Sequence, residues 1–522
     1  MLRALSRRTA GTLALIALAA GFAWVMQGTG FNQNSHYALV KALSKGTPVV
    51  DSSLHELGQL NTQDVTRLHG HTYSNKAPGL AFLTVPLYVG LEHEGMRTTG
   101  DPTRVLWALG LLGTVLPAVL LLFLVRWVGD GLEPGFGTVA AVALGAGTLL
   151  TPFATLFFAH ALSALLVFGT FALLWRARDD DGALRWIASA GVCAGLAVVT
   201  EYPNALAGAV LGVYAISRAP IVRRGVAYAG GVLVGVLPLA VYNQWAFGSI
   251  THLSYAGGQT GTGGSSGTGA STAELVAGGH FRLTKLLETL VGAQGIFTQA
   301  PVLVAGALGV VLLFRRRRAA EALAVAGVCA VYLVYNSFYG SNFGGFSPGQ
   351  RYVIPILPFL ALGIALAFRC APLVTGALAL ASILVMASMT ATHALAGYDL
   401  DWFHRIGTRD FDYTVAWLVG VTGWYTILPF AAAIAAAAVV AVRAAPPVRP
   451  STLEPLLAGV ALLLWALVAA GAPPTTALGG RADELGAYGS AGVAALVAVL
   501  AGVAAVWHAR RASLSRGASL RR

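Results

Sequence analysis

An all-α, polytopic transmembrane bundle of about fourteen spans is the fold this sequence predicts. Three observations predict it. Of 522 residues, 56% are hydrophobic and only 11% are charged, where a soluble domain carries about 25% charged residues. The mean hydropathy of +0.70 over such a length excludes one water-soluble core, and the same figures exclude collagen-like, disulfide-rich and disordered chains. The basic residues fall in short clusters between apolar runs, as loop anchors do.

Taken in order, the apolar runs place spans near 10–27, 104–126, 134–151, 155–175, 186–200, 203–217, 225–243, 298–314, 319–336, 352–368, 372–390, 424–443, 454–471 and 488–508. Several are shorter than the roughly 20 residues of a straight crossing, which predicts tilted or buried helices there. The first follows Arg7 and Arg8 and reads as a retained anchor helix, with a cleaved signal peptide as the competing reading. Residues 28–103 form a loop far longer than a connector needs. Within it, 35–45 (Leu39, Ala42, Leu43 on one face) and 79–92 (Leu80, Leu83, Leu87, Leu91) have helical periodicity but are too short to cross. They are expected to lie along the membrane interface. The loop from 244 to about 285 contains a Gly/Ser/Thr run at 257–269 with too little side chain to pack. It lacks the sequence context of a phosphate-binding loop. Cys193, Cys329 and Cys370 have no paired spacing and read as buried thiols.

The net charge of +12 comes from 34 basic and 22 acidic residues, and all but four of the basic residues are arginine. With the N-terminus in the cytoplasm and the spans alternating, twenty-two basic and seven acidic residues fall inside, leaving +15 inside against −3 outside. The positive-inside rule then places both termini in the cytoplasm and the long 28–103 loop outside. Arg315 to Arg318 becomes a stop-transfer anchor, and no nucleic-acid partner is implied.

The outer side holds the residues that can do chemistry. Tyr73-Ser-Asn-Lys-Ala-Pro-Gly79 puts Lys76 on a Pro/Gly turn before the second amphipathic stretch, where an ammonium can meet a lipid phosphate or simply snorkel. Arg351 and Tyr352 open the tenth span in Gly349-Gln-Arg-Tyr352, followed by Val353-Ile-Pro-Ile-Leu-Pro358. Arg351 can grip phosphate oxygens bidentately, or pair structurally with a carboxylate such as Glu201. Glu201 joins two spans at the outer face, where an acid is costly and therefore a functional candidate. His160 begins the fourth span and reads as a packing residue or a site residue. His69-Gly-His71 offers two imidazoles that could bind a divalent metal, though two ligands alone are weak support for one. The aspartates at 399, 401, 410 and 412 read as a solvated face of a later outer loop.

The Y-x-x-K-x-P turn at Tyr73–Pro78 and the R-Y-x-x-P-x-x-P run at Arg351–Pro358, with a first helix followed by a large outer loop, resemble the GT-C superfamily of membrane glycosyltransferases. The likeness is to bacterial relatives of protein O-mannosyltransferases and of aminoarabinose transferases (glycosyltransferase family 39). It covers about residues 10–370, with Ala77 where the family usually has a second proline. The resemblance implies a transferase using a polyprenyl-phosphate sugar at the outer face. Its acceptor would be a glycan, lipid or protein, an acidic side chain of the first loop would be the base, and no cofactor would be required. The family usually places an aspartate just after the first span. Here Gly30–Tyr37 contains no carboxylate, and the nearest acids are Asp64 and Asp51. The expected roles are therefore Asp64, with Asp51 as the alternative, for the base, and Lys76 and Arg351 for the donor phosphate. Asn32, Asn34, His71, Tyr73, His160, Glu201 and Tyr352 would line the sugar and acceptor pocket, and no metal ligand is assigned.

Residues 1–370 are expected to form the catalytic membrane module, and 371–522 further membrane helices with a basic cytoplasmic tail. Two other functions fit the composition: a transporter or flippase of lipid-linked oligosaccharides, which needs polar groups at the midplane, and a non-catalytic membrane protein that keeps the same fold. The expected location is the plasma membrane.

Overall fold

The computed structural model describes residues 6–58, 62–96, 102–180, 183–254, 281–316, 318–338, 347–395 and 402–471. The expected fourteenth span, the glycine-rich run at 257–269, the basic tail, Asp399 and Asp401 lie outside them.

Apolar helices dominate the described chain. Five are long and apolar enough to cross a membrane: Thr103–Leu132, Ile221–Phe247, Ala319–Phe338, Arg351–Cys370 and Pro372–Ala391. A sixth arises if Leu283–Gln299 and Val302–Arg315, bent by 100° at their junction, count as one broken span. The first helix is Arg7–Trp24, with Ser6 capping it through the Thr9 amide. Shorter apolar helices at Gly137–Gly147, His160–Arg176, Leu184–Thr200, Asn204–Ala215 and Leu428–Ala444 fall within other expected spans. The expected 134–151 span is interrupted: Gly137–Gly147 stops, and Leu150–Thr155 restarts as a separate turn of helix. The protein is thus a helical membrane protein.

Packing explains which helices sit inside. The Leu357–Cys370 helix is buried almost all round, so apolar residues on every face are what its position demands. The Ile221–Phe247 helix is two-faced. Val226, Leu233, Leu237 and Val241 are exposed, as a lipid-facing surface requires. Its glycine side presses on Leu184–Thr200: a Cβ on Gly231 would come within 2.1 Å of the Ala188 carbonyl oxygen, and one on Gly195 within 2.5 Å of the Val232 oxygen. Gly191-x-x-x-Gly195 and Gly231-x-x-x-Gly235 therefore let two backbones meet where lipid provides no hydrophobic drive.

Ion pairs at one end and hydrogen bonds at the other tie the connecting segments together. Buried Glu133 takes both Arg316 and Arg369. Arg178 pairs with Glu321 at 3.3 Å and donates to Ser217 Oγ at 2.9 Å. The positive-inside pattern puts every one of these segments on the same, arginine-rich side. At the other end Trp24 Nε1 donates to the Thr426 oxygen (2.6 Å), Gly28 N donates to Asp412 Oδ1 (3.2 Å), and Val25–Met26 pairs antiparallel with Tyr413–Thr414. Asp412 is buried in this junction, which corrects the expectation of a solvated face for that residue, while Asp410 is exposed as expected.

The long first loop differs most from expectation. Helix Phe31–Ser44 does not lie on a surface: Asn32 through Ala42 are all buried, polar residues included. Helix Gly79–His93 buries Leu80, Ala81, Thr84 and Tyr88, while Leu83 is exposed, so the expected leucine stripe is not its inner face. Between them stands a β-hairpin, Val65–Leu68 paired antiparallel with His71–Ser74. An all-α expectation missed it. His69 (φ 50°) and Gly70 (φ 80°) are both left-handed, as a two-residue hairpin turn requires. The His69-Gly-His71 motif is thus a turn.

Candidate active site

The hairpin register builds the centre of the site. Val65 opposes Ser74, so Asp64 and Lys76 flank the open end of the ladder. Twelve residues apart in sequence, they form an ion pair at 2.8 Å. Ser35 holds this end in place: its Oγ donates to the Asp64 oxygen (2.6 Å) and meets Ser74 Oγ at 2.8 Å. Thr62 adds a link to the start of the buried helix, donating to the Phe31 oxygen (2.6 Å) and accepting from the Asp64 amide (3.0 Å). Two residues before Ser35, Gln33 accepts from the Phe157 amide at 2.8 Å and donates to the Gly28 oxygen at 2.6 Å. The Asn/Gln/Ser-rich start of helix Phe31–Ser44 is therefore the frame on which the site is mounted.

Gly79 brings the lysine turn against the second acidic group. A Cβ there would lie 2.7 Å from Thr200 Cα, so only glycine lets the Pro78–Gly79 turn touch the end of helix Leu184–Thr200. Glu201 follows immediately as that helix's C-cap. Its carboxylate faces His160 Nδ1 at 3.4 Å. His160 opens helix His160–Arg176, with its ring against Phe153 and Phe158 at 5.1 and 5.7 Å. Arg351 starts the short 3₁₀ turn Arg351–Ile356 leading into the central helix. Its guanidinium lies over the rings of Tyr352 (5.2 Å) and Phe158 (5.8 Å). Phe158 thus stacks beside both Arg351 and His160.

The electrostatics show that these groups share one region. Burial opposes the charge on Asp64, but the Lys76 and Arg351 cations outweigh it and hold the carboxyl below its usual range. Burial, then Lys76, and to a lesser degree Arg351, drive His36 down to about 3, so it is neutral at pH 7. Burial pushes Glu201 up to about 7 against the pull of Arg351 and Lys76. Two cations, one firmly ionised carboxylate and one carboxyl poised near neutrality make a site that favours an added anion. Asp64 keeps 30% of its side-chain exposure and Lys76 15%, so water reaches the pair. Buried polar atoms without a hydrogen-bond partner among the described residues include Asn32 Oδ1, His36 Nδ1 and His160 Nε2. Such groups are costly unless a ligand or water meets them.

Asp64, Lys76, Arg351, Glu201 and His160 therefore converge, with Tyr352 beside Arg351. Asn32 and Asn34 sit buried in the same helix turn as His36. His36 itself escaped the sequence reading; its only signal was its place four residues after Asn32 on a helix. Asp51 and His71 do not join the cluster. Asp51 starts helix Asp51–Leu57, accepts from the Thr72 amide (3.0 Å) and pairs with His71 at 3.2 Å on an exposed face. They brace the hairpin from outside. Tyr73 packs its ring on Phe247 at 5.1 Å. Among the described residues no group of three or more His, Cys, Asp or Glu is arranged to hold a metal ion.

No family model and no curated protein matches the chain. Solved structures do. The ArnT structure from Cupriavidus metallidurans bound to undecaprenyl phosphate is 16% identical with a TM-score of 0.47, covering 98% of this chain and 78% of its own. The archaeal oligosaccharyltransferase AglB from Archaeoglobus fulgidus, in complex with an inhibitory peptide and a dolichol-phosphate, is 12% identical with a TM-score of 0.44. This chain covers 58% of that one and is itself covered over 88%. These structural neighbours are GT-C proteins.

Proposed function

We propose that this protein is a membrane glycosyltransferase that moves a sugar from a polyprenyl-phosphate donor to an acceptor hydroxyl at the extracytoplasmic face. The observation that carries the reading is the Asp64–Lys76 ion pair at 2.8 Å on the hairpin, with the Arg351 cation, from a helix start almost 300 residues away, acting on the same carboxylate.

The acceptor oxygen bonds to the anomeric carbon as the bond from that carbon to the phosphate oxygen breaks. The electron pair leaves with the phosphate, where Lys76 and Arg351 neutralise it. The hydroxyl proton passes to Asp64. One displacement of this kind inverts the sugar carbon. Resting Asp64 is a weak base because Lys76 holds it. When the donor phosphate draws Lys76 away, the carboxylate regains basicity at the moment it is needed. Donor binding thus switches on the base. Glu201 and His160, paired at 3.4 Å, would contact the sugar or the acceptor in this reading.

The test is sugar transfer from a polyprenyl-phosphate donor in proteoliposomes. Transfer is expected for the native chain and lost in Asp64→Asn. Undiminished transfer in folded Asp64→Asn and Lys76→Ala variants removes both assignments.

A further inference from the structure

A second charged hollow lies at the opposite end of the first helix, about 27 Å away along its axis at 1.5 Å per residue. This cavity of about 530 Å³ is bounded by Arg7 and Arg8, by Arg126, Trp127 and Asp130 of Thr103–Leu132, and by Ala444 of the Leu428–Ala444 helix. Arg126 is fixed: its Nη1 donates to Thr12 Oγ1 (2.9 Å) and its Nη2 to the Arg8 oxygen (2.7 Å). Asp130 does not neutralise the hollow. Its Oδ1 accepts from the Gly137 amide at 2.8 Å, and its other oxygen stands 3.9 Å from Arg126 Nε. Three arginines against one committed aspartate leave an excess of two positive charges. The wall beside them is apolar and open: Leu116, Leu120 and Trp127 are each more than 40% exposed and fall on one face of the helix at i, i+4 and i+11. Trp127 meets Trp175 edge-on at 5.0 Å. One fixed arginine and two exposed ones beside a tryptophan pair, continuous with an exposed leucine stripe, are the chemistry of a headgroup site with room for an acyl chain.

We propose that this cavity binds the headgroup phosphate of an anionic phospholipid, in the leaflet on the arginine-rich side, so that one lipid bridges the first helix, the Thr103–Leu132 helix and the Leu428–Ala444 helix. The site is independent of the transferase reading. The purified full chain, in a neutral detergent, is titrated with dioleoylphosphatidylglycerol and followed by native mass spectrometry and thermal unfolding. Dioleoylphosphatidylcholine and inorganic phosphate at matched ionic strength are the comparisons. One phosphatidylglycerol is expected to stay bound per chain and to raise Tm, with phosphatidylcholine and phosphate giving no saturable effect. The double variant Arg7→Gln with Arg8→Gln is expected to bind about 30-fold more weakly, roughly five- to tenfold for each charge near a membrane surface. Arg7→Lys with Arg8→Lys restores binding. A charge-matched control, Arg223→Gln with Arg315→Gln, whose arginines are exposed elsewhere, leaves it unchanged. Equal loss in the control, or equal retention of phosphatidylcholine, overturns the site. A saturable phosphate shift that displaces phosphatidylglycerol assigns the cavity to free phosphate and overturns the lipid.

Discussion

Replacing Asp64 by Asn separates the two roles its ion pair with Lys76 combines. At 2.8 Å and an effective dielectric constant of about 20, the gross attraction is about 6 kcal/mol. Desolvation of the two partly buried groups takes back much of it. A donor phosphate that replaces Asp64 against Lys76 leaves the carboxylate about 5–6 Å away, a repulsion of about 3 kcal/mol on the same basis. Asp64→Asn removes that repulsion and frees the ammonium. If half survives screening, polyprenyl phosphate binds about tenfold more tightly while transfer falls at least 10²-fold, since a general base contributes about 10²–10⁴. Lys76→Ala has the opposite binding signature: donor affinity falls and kcat/KM drops about 10²–10³-fold, as for loss of one group that stabilises a developing oxyanion. The assay pairs equilibrium binding of polyprenyl phosphate with single-turnover sugar transfer in proteoliposomes. Weaker donor binding in Asp64→Asn, with Lys76→Ala unchanged, would refute the exchange of partners. Both variants eluting and unfolding as the native chain does is the condition for reading either.

Gly79→Ala touches no ionisable group, yet its Cβ would meet Thr200 Cα at 2.7 Å. It is expected to push the Lys76 turn from Glu201 and to cut kcat/KM about 10²-fold, the order of loss that accompanies a 1 Å misplacement, with stability lowered by about 1–3 kcal/mol in a thermal melt, as overpacking does. Glu201 is pushed from 4.5 up to about 7 by burial. The native state therefore holds a proton between those values that the unfolded chain releases, and its contribution to stability is present below about pH 4.5 and lost as pH rises through 7. That contribution is at most about 3 kcal/mol. Glu201→Gln should flatten the decline of Tm between pH 5 and 8, and an unchanged slope would count against it. Asp412→Ala leaves the amides of Gly28 and Tyr413, held at 3.2 and 2.8 Å, without their acceptor. It is expected to lower stability by about 2 kcal/mol or more in denaturant melts.

Composition and charge alone were enough for a helical membrane bundle, for a span opening beside Arg351, and for the loops that share an end. Those features follow from how many apolar residues occur in a row and which charges flank them, and both are local. They also marked Lys76, Arg351, Glu201 and His160 as candidates, because a polar group beside an apolar run is conspicuous in one dimension. Tertiary structure decided the rest. Asp64 rather than Asp51 meets Lys76 because a hairpin turn at His69–Gly70 sets a register that period-3.6 reading does not test. Asp51 instead faces His71. Helix Phe31–Ser44 buries polar residues on all sides, so its pattern is not the one-sided pattern of an interfacial helix, and His36 became visible only with its neighbours in place. The Gly191/Gly195 and Gly231/Gly235 crossing depends on two backbones reaching contact. Hydrophobic pattern reports what each segment buries; which distant segment supplies the partner is set by close packing and hydrogen bonding between them.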